Sequence, residues 1–201
     1  MQHDFILLDR SGSMGALWSE ALGSVNAYVK KLAEDKVDTG VTLAAFDYHQ
    51  GLCFDIIRDR IIPSTWHDVT TLDATPRGMT PLNDAIGKIV ARARDGNYHR
   101  VAIVIMTDGE ENYSRELSTE QAKKLLDQCR SNGWQVVFLG ADFDNAAQAA
   151  SYNNAAGSTV QVSAVNLRAS ASVLASKRGL YGATGQSINF TDAEKAQLKQ
   201  P

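Results

Sequence analysis

The sequence predicts one α/β domain with a doubly wound sheet of six mostly parallel strands, one antiparallel edge strand and helices on both faces. Strand-like and helix-like patterns alternate along almost the whole chain, which is typical of a sheet covered by crossover helices. Residues 5–8 and 101–106 are apolar throughout, as expected for strands buried on both faces. A short turn around residues 48–51 joins two strand patterns, which indicates a hairpin at the sheet edge.

Six apolar runs supply the strands of this Rossmann-like sheet. Two of them end abruptly in an acidic residue, Asp9 after the first run and Asp47 after the second. The third run stops at Pro63, because proline cannot continue a strand ladder. The predicted strands cover residues 5–8, 41–46, 52–62, 101–106, 134–139 and 158–162.

Apolar residues recur at helical spacing between these strands. Thr80 is a candidate N-cap with Pro81 at the first helical position, which predicts a helix over the following residues. Ser118 and Gln121 form a capping box for the next helix. The remaining predicted helices cover residues 16–34, 66–72, 144–152 and 167–177.

The chain beyond Gly179 is predicted to be an extension. Gly182 and Gly185 loosen this stretch, and Thr191 with Glu194 forms a capping box that opens a short polar helix. We therefore divide the sequence into a domain at residues 1–179 and a C-terminal extension at residues 180–201. The extension is expected to pack against the domain or against a partner.

Composition restricts the function classes and the setting. A net charge of −3 offers no basic surface for nucleic acid or for an anionic membrane. The two cysteines, Cys53 and Cys129, indicate reduced thiols rather than a disulfide scaffold. No basic region precedes an apolar segment at the N-terminus, and no apolar run approaches the roughly 20 residues of a membrane span. We expect a cytoplasmic protein with neither a nucleic-acid nor a membrane partner.

Oxygen-bearing side chains follow the first strand directly. Asp9, Ser11 and Ser13 lie in a glycine-containing turn at the carboxyl end of that strand, where open α/β sheets bind ligands. Three hard oxygen ligands suit a small hard cation but do not complete its coordination. Asp and Ser are also common caps at a strand-to-helix turn, so this stretch alone does not establish a metal site.

Two further segments supply the missing oxygens. Thr80 precedes a predicted helix, and Asp108 follows the fourth strand. In a right-handed α/β wind the first and fourth strands can lie side by side, so both residues can reach the rim that carries Asp9. Two carboxylates and three hydroxyls suit Mg²⁺ or Mn²⁺, whereas the histidine and thiolate ligands that zinc prefers are absent from the set.

Three motifs in this order resemble the metal-ion-dependent adhesion site of von Willebrand factor A (VWA) domains. Residues 9–14, Asp-Arg-Ser-Gly-Ser-Met, match the D-x-S-x-S signature. Residues 78–82, Gly-Met-Thr-Pro-Leu, resemble the threonine motif of the family, and residues 106–109, Met-Thr-Asp-Gly, resemble its aspartate motif. The resemblance covers about residues 4–179 and implies a six-stranded sheet with one antiparallel edge strand.

The resemblance also implies a metal-dependent binding function. In such a site Ser11, Ser13 and Thr80 bind Mg²⁺ or Mn²⁺ directly, while Asp9 and Asp108 bind it directly or through water. Neutral hydroxyls leave the ion poorly neutralised, so an open position can accept a carboxylate from a partner. We expect an adaptor or assembly subunit that grips an Asp or Glu of another protein, and the oligomeric state is left open. Short stand-alone chains of this type occur in bacteria and phages, which is the setting that the resemblance implies.

Several charged residues near these motifs allow more than one interpretation. Arg10 and Arg77 flank the site and either assist an acidic partner or lie solvated at the surface. Residues 110–112, Glu-Glu-Asn, either tune the rim or hold a second ion. Asp47 and Asp142 also end strands, and we interpret both as turn caps.

Two enzyme classes and a metal-free scaffold are the alternatives. Residues 11–15 are one residue away from the G-x-S-x-G nucleophile elbow, but that fold requires a late histidine and every histidine precedes residue 100. Haloacid-dehalogenase-like phosphatases use the motif D-x-D, with a carboxylate as the nucleophile. Ser11 replaces the second acid here, so the general acid/base is missing. We therefore expect no enzymatic activity, and a metal-dependent hydrolase or phosphatase-like enzyme is the alternative. A vestigial site is disfavoured because all five oxygen ligands are present.

Overall fold

The sheet of the computed structural model places the antiparallel strand at one edge. The structure describes residues 1–108, 111–141, 151–152, 159–162 and 166–199. The strands are β1 Gln2–Asp9, β2 Gly40–Tyr48, β3 Leu52–Ile61, β4 Arg100–Met106, β5 Gln135–Ala141 and β6 Thr159–Val162, in the spatial order β3-β2-β1-β4-β5-β6. β3 runs antiparallel to β2, and the other neighbouring strands run parallel. The predicted α/β class and the antiparallel edge strand are confirmed.

Five α-helices and two short 3₁₀ helices connect and cover the strands. The α-helices are α1 Trp18–Glu34, α2 Leu82–Asp95, α3 Thr119–Ser131, α4 Leu167–Thr184 and α5 Asp192–Lys199, and the 3₁₀ helices span Gly12–Leu17 and Pro63–Thr65. These are the helices of the described residues, and none of them is both long and apolar enough to cross a membrane.

The helices lie on both faces of the sheet, and the alternation of side chains along β1 explains why. Ile6 and Leu8 point into a core shared with α1 and α4, whereas Phe5 and Leu7 point into a core shared with α2 and α3. All four side chains are at most 1% exposed. A strand covered on both faces needs apolar residues at every position, which is the pattern found in the sequence.

The predicted helix at residues 66–72 is wrong, because side chains from distant segments hold this stretch in a non-helical path. The Asn26 side chain in α1 accepts hydrogen bonds from Trp66 Nε1 at 3.0 Å and from the Val69 amide at 2.9 Å. It also donates to the Val69 carbonyl at 3.0 Å. These tertiary bonds replace the local ones that a helix would have formed.

Two other helix boundaries differ from the predictions. The first helix was predicted to start near Ala16, but a 3₁₀ helix occupies Gly12–Leu17 before α1 begins. The helix predicted for residues 167–177 continues through Gly179 to Thr184, so the predicted domain boundary after Gly179 lies within α4. The division into 1–179 and 180–201 stays a prediction. For the helix predicted at 144–152, residues 144–150 lie outside the described residues, as does Asp142.

The C-terminal extension packs on the domain. Ile188, Phe190 and Leu198 are at most 6% exposed and belong to the core beside α1 and α4. The predicted capping box is confirmed, since the Thr191 amide donates to Glu194 Oε2 at 2.7 Å and the Glu194 amide donates to Thr191 Oγ1 at 3.2 Å. The polar sequence of α5 therefore belongs to a helix with one docked face.

A fully buried ion pair ties α4 to β1. The Arg178 guanidinium donates through Nε to Asp4 Oδ1, and both side chains are 0% exposed. Arg178 also donates to Gln2 Oε1 at 3.0 Å and to Thr39 Oγ1 at 3.3 Å. Because a buried charge is costly without a partner, each member of this pair requires the other.

We expect Arg178→Met to lower the free energy of unfolding by about 3–5 kcal/mol, because it leaves the Asp4 carboxylate buried and unpaired. Urea denaturation would measure the change. Lys30→Met is the matched control, since Lys30 pairs with Asp68 at the surface and its side chain is 57% exposed. Adding Asp4→Asn to Arg178→Met should restore part of the stability. Equal unfolding midpoints for Arg178→Met and Lys30→Met would contradict this account of the buried pair.

Candidate metal site

The parallel pairing of β1 with β4 brings two predicted ligand segments together. Leu8 lies opposite Met106 in the register of these strands, so Asp9 and Thr107 leave the sheet side by side. The Thr107 hydroxyl donates to Asp9 Oδ2 at 2.7 Å, and the Ser11 amide donates to Asp9 Oδ1 at 2.7 Å. Both oxygens of this fully buried carboxylate are thus held in a fixed orientation.

The two serine hydroxyls link Asp9 to the end of β4. After Asp9 the chain turns into the 3₁₀ helix, which places Ser11 Oγ 3.1 Å from Ser13 Oγ. The Ser13 hydroxyl donates to Asp108 Oδ1 at 2.9 Å. Four of the five predicted ligands, from two separate segments, therefore form one continuous chain of contacts.

The loop that carries Thr80 is bonded to the turn after β1. The Gly12 amide donates to the Gly78 carbonyl at 3.1 Å, and the Arg77 amide donates to the Arg10 carbonyl at 2.8 Å. Thr80 itself is 2% exposed. These backbone bonds bring the third predicted segment to the same rim as Ser11 and Ser13.

Asn112 fixes the position of Thr80 from the other side. The Thr80 amide donates to Asn112 Oδ1 at 3.0 Å, and the Asn112 amide donates to the Thr80 carbonyl at 3.2 Å. Sequence reasoning placed Asn112 near the rim but missed this role. The sequence shows only that Asn112 carries an amide shortly after the aspartate motif. Its hydrogen-bond partner, Thr80, is distant along the chain, so no local pattern links the two residues.

The prediction that Thr80 caps α2 is wrong. The helix begins at Leu82 with Pro81 in the N-cap position, and the amide of Asn83 donates instead to Glu111 Oε2 at 2.8 Å. Because the loop after β4 supplies an acceptor for this buried helix end, the Thr80 hydroxyl is not used as the cap.

Glu111 is accounted for without a second ion. Its Oε1 accepts the amides of Tyr113 and Ser114 at 2.9 and 2.7 Å, and its Oε2 accepts the Ser114 hydroxyl at 2.7 Å in addition to the Asn83 amide. Both carboxylate oxygens therefore serve the loop and the start of α2. Glu110 lies outside the described residues.

Arg10 is buried beneath the site and does not face a partner. Its Nε donates to Asp47 Oδ1 at 2.6 Å and its Nη2 donates to Asp55, while the residue is only 5% exposed. Arg77 Nε donates to the other oxygen of Asp47 at 3.0 Å. Asp47 is therefore the acceptor of two arginines rather than a turn cap, and the network joins the metal-motif turn to the β2–β3 hairpin.

Burial dominates the electrostatics of the two acidic residues of the site. Burial raises the pKa of Asp9 to about 6, although Thr107 and Ser11 donate to its carboxylate. Burial also raises the pKa of Asp108. Both carboxyl groups therefore lie in surroundings that disfavour their charged form.

The donor set suits a hard cation. In the described part of the chain no group of three or more His, Cys, Asp or Glu side chains is arranged to hold a metal ion. A cation at this rim must therefore take oxygens from neutral hydroxyls as well as from carboxylates. Such a set fits Mg²⁺ or Mn²⁺ rather than zinc.

The glycine before the threonine motif is required by its surroundings. Gly78 has φ +68°, and a Cβ at this position would lie 2.1 Å from the Tyr48 carbonyl oxygen. The close approach accompanies the backbone bonds between Tyr48 and Met79, at 3.0 and 3.2 Å. Only glycine lets the threonine loop lie against the end of β2 in this way.

Comparison with known sequences assigns the family. The model of the von Willebrand factor type A domain family matches residues 5–174, so the chain belongs to the VWA family. The fold and the order of the three motifs agree with this assignment. Among curated proteins no match was found.

Solved structures with the same fold are distant in sequence. The PilB minor pilin from Streptococcus sanguinis is 12% identical with a TM-score of 0.65, and the match covers 92% of this chain and 63% of the pilin. The vWF domain of the type V pili tip protein Mfa5 from Porphyromonas gingivalis is 11% identical with a TM-score of 0.65, covering 95% of this chain and 98% of that one. Manganese-loaded Plasmodium vivax TRAP protein is 15% identical with a TM-score of 0.54, covering 84% and 71%. This chain therefore spans less than two thirds of the pilin.

We expect Gly78→Ala to destabilise the fold by more than about 1–2 kcal/mol, because an L-residue is strained at this φ and its Cβ would collide with the Tyr48 carbonyl. Thermal unfolding would measure the loss. Gly15→Ala is the control, since a Cβ at Gly15 meets no atom within 4 Å. If both variants unfolded at the temperature of the wild type, the close contact between Gly78 and Tyr48 would not hold in solution.

Proposed function

We propose that this protein is a divalent-metal-dependent interaction module that grips an Asp or Glu side chain of a partner protein. Mg²⁺ or Mn²⁺ would be held by Ser11, Ser13 and Thr80, with Asp9 and Asp108 bound directly or through water. The observation that supports the proposal is the chain of contacts from Asp9 through Ser11 and Ser13 to Asp108, together with the backbone bonds that join the Thr80 loop to the same turn.

The residues of the chain prepare the site for a partner carboxylate. When bound by these residues, a divalent cation would supply the positive charge that attracts a partner carboxylate. Hydroxyl ligands contribute dipoles but no negative charge, so the cation keeps its attraction for an incoming carboxylate. Asp9 is oriented by Thr107 and by the Ser11 amide, which limits its freedom to move when the ligand changes.

The family and the neighbouring structures support an interaction function. The neighbours include a minor pilin, a pilus tip protein and a TRAP protein that was loaded with manganese. The first two are named as components of pili, and the TRAP structure is described as loaded with manganese. VWA family membership fits an interaction module of this kind rather than an enzyme.

We further propose that the protein is cytoplasmic and of the bacterial or phage stand-alone type. Support comes from the two cysteines, Cys53 and Cys129, which are both free. Free thiols are ordinary in reducing compartments. The net charge of −3 supports a protein partner over nucleic acid or an anionic membrane.

We expect Ser13→Ala to weaken Mn²⁺ and Mg²⁺ binding by about tenfold or more in calorimetric titration, since it removes one ligand oxygen and the bond to Asp108. Ser131→Ala is the control, because Ser131 lies exposed at the end of α3 and should leave affinity unchanged. Circular dichroism would check that both variants are folded. Equal metal affinity of the Ser13 and Ser131 variants would contradict the proposed ligand set.

Capture of partners from a lysate in the presence of Mg²⁺ should be lost on adding EDTA and in the Ser13→Ala variant. Partner binding that persists under both conditions would rule out the metal-dependent mechanism. A phosphatase assay with p-nitrophenyl phosphate separates this proposal from the hydrolase alternative. Metal-dependent turnover that disappears in Ser13→Ala would favour the enzyme.

A further inference from the structure

Two tyrosines lie beside Thr80, one on each of the segments that hold it. The rings of Tyr48 and Tyr113 have centroids 4.4 Å apart at an interplanar angle of 57°. Tyr48 is bonded through its backbone to Met79, the residue before Thr80. Tyr113 follows Asn112, whose amide and side chain bond to Thr80. The Thr80 segment is therefore bonded to both tyrosine segments. Tyr48 bonds to Met79, and Asn112, the neighbour of Tyr113, bonds to Thr80.

An arginine extends this pair toward solvent. The Arg115 guanidinium lies over the Tyr113 ring, with its carbon 4.4 Å from the centroid, and the residue is exposed. The Arg115 amide donates to Asp84 Oδ2 at 2.7 Å, so the backbone that presents this side chain is anchored to α2. Met79 is also accessible, at 44% exposure. We call Tyr48, Met79, Tyr113 and Arg115 the rim cluster.

The three arginines near the site differ in whether a carboxylate of the described residues pairs with them. The guanidinium of Arg10 is buried against Asp47 and Asp55, and that of Arg77 is paired with Asp47. Arg115 instead stacks on Tyr113, a contact that orients the guanidinium, and no ion pair of Arg115 is found among the residues that the structure describes. Arg115 is thus suited to take a carboxylate from another molecule.

We propose that the rim cluster is a second contact site that selects the partner, which is an acidic protein segment. One carboxylate of that segment binds the metal, a second acidic side chain pairs with Arg115, and an apolar side chain packs against Met79 and the tyrosines. This inference rests on the proposed function and adds the source of its specificity.

Binding of a carboxylate by the metal and selection of the partner require different groups. A metal ion accepts a carboxylate from any Asp or Glu, so discrimination between partners must come from groups beside it. Tyrosine, methionine and arginine are enriched at interfaces and often carry much of the binding energy. The planar guanidinium matches the geometry of a carboxylate and can bind it through two parallel hydrogen bonds. Because the stacking already orders Arg115, less entropy is lost on binding.

The test uses displayed random peptides with a fixed central Asp, and a matched library with a central Asn. In Mg²⁺ the wild-type protein should enrich the Asp library over the Asn library, with acidic residues preferred on one side of the central position. Arg115→Gln should reduce the preference for a second acidic residue by about threefold or more, while the dependence on the central Asp and on Mg²⁺ remains. Arg115→Lys should restore only part of that preference, because it keeps the charge without the planar fork.

Arg94→Gln is the matched control, since Arg94 is an exposed arginine at the opposite end of α2, bonded to Gln128. Urea unfolding of each variant checks that the fold is intact. Equal enrichment of the Asp and Asn libraries would overturn the proposed function, and this inference with it. Enrichment of the Asp library with no acidic preference, or with one that survives Arg115→Gln, would overturn the rim cluster alone.

Discussion

The parallel pairing of β1 with β4 is the constraint on which the candidate site depends. It sets Asp9 beside Thr107, and the 2.7 Å hydrogen bond from the Thr107 hydroxyl orients the Asp9 carboxylate. The strands are neighbours in space but are separated by α1, β2, β3 and α2 along the chain. Their apolar side chains occupy both cores, so the burial that stabilises the sheet also brings the ligands together.

Buried carboxylates in this protein are compensated in different ways. Asp4 pairs with Arg178, and Asp47 pairs with Arg10 and Arg77. Asp84 accepts three backbone amides from the loop after β4. Asp9 accepts hydrogen bonds from the Thr107 hydroxyl and the Ser11 amide, and burial raises its pKa. Among the described residues it has no arginine partner of the kind that Asp4 and Asp47 have. Under the proposed function an external cation would compensate its charge.

The sequence predicted those parts of the site that depend on local patterns. Short motifs were enough to predict the acidic residues at two strand ends, Asp9 and Asp108, and the glycine before the threonine motif, Gly78. Features that depend on distant partners were missed or misassigned. Residues 66–72 have helical spacing, but the Asn26 side chain holds them otherwise. Thr80 and Pro81 form a good helix start, yet Glu111 supplies the acceptor. No local pattern reveals which residue will approach from elsewhere in the fold.

The described residues of the loop after β4 contact both the Thr80 segment and the rim cluster. The same few residues cap α2 through Glu111, hold Thr80 through Asn112 and carry Tyr113 and Arg115 of the rim cluster. Asp84 accepts hydrogen bonds from three backbone amides of this loop. The loop therefore cannot readily move one of these groups without moving the others. Under the proposed function, a partner at Arg115 and a cation at Thr80 would be held by the same loop, so we expect binding at one to affect binding at the other.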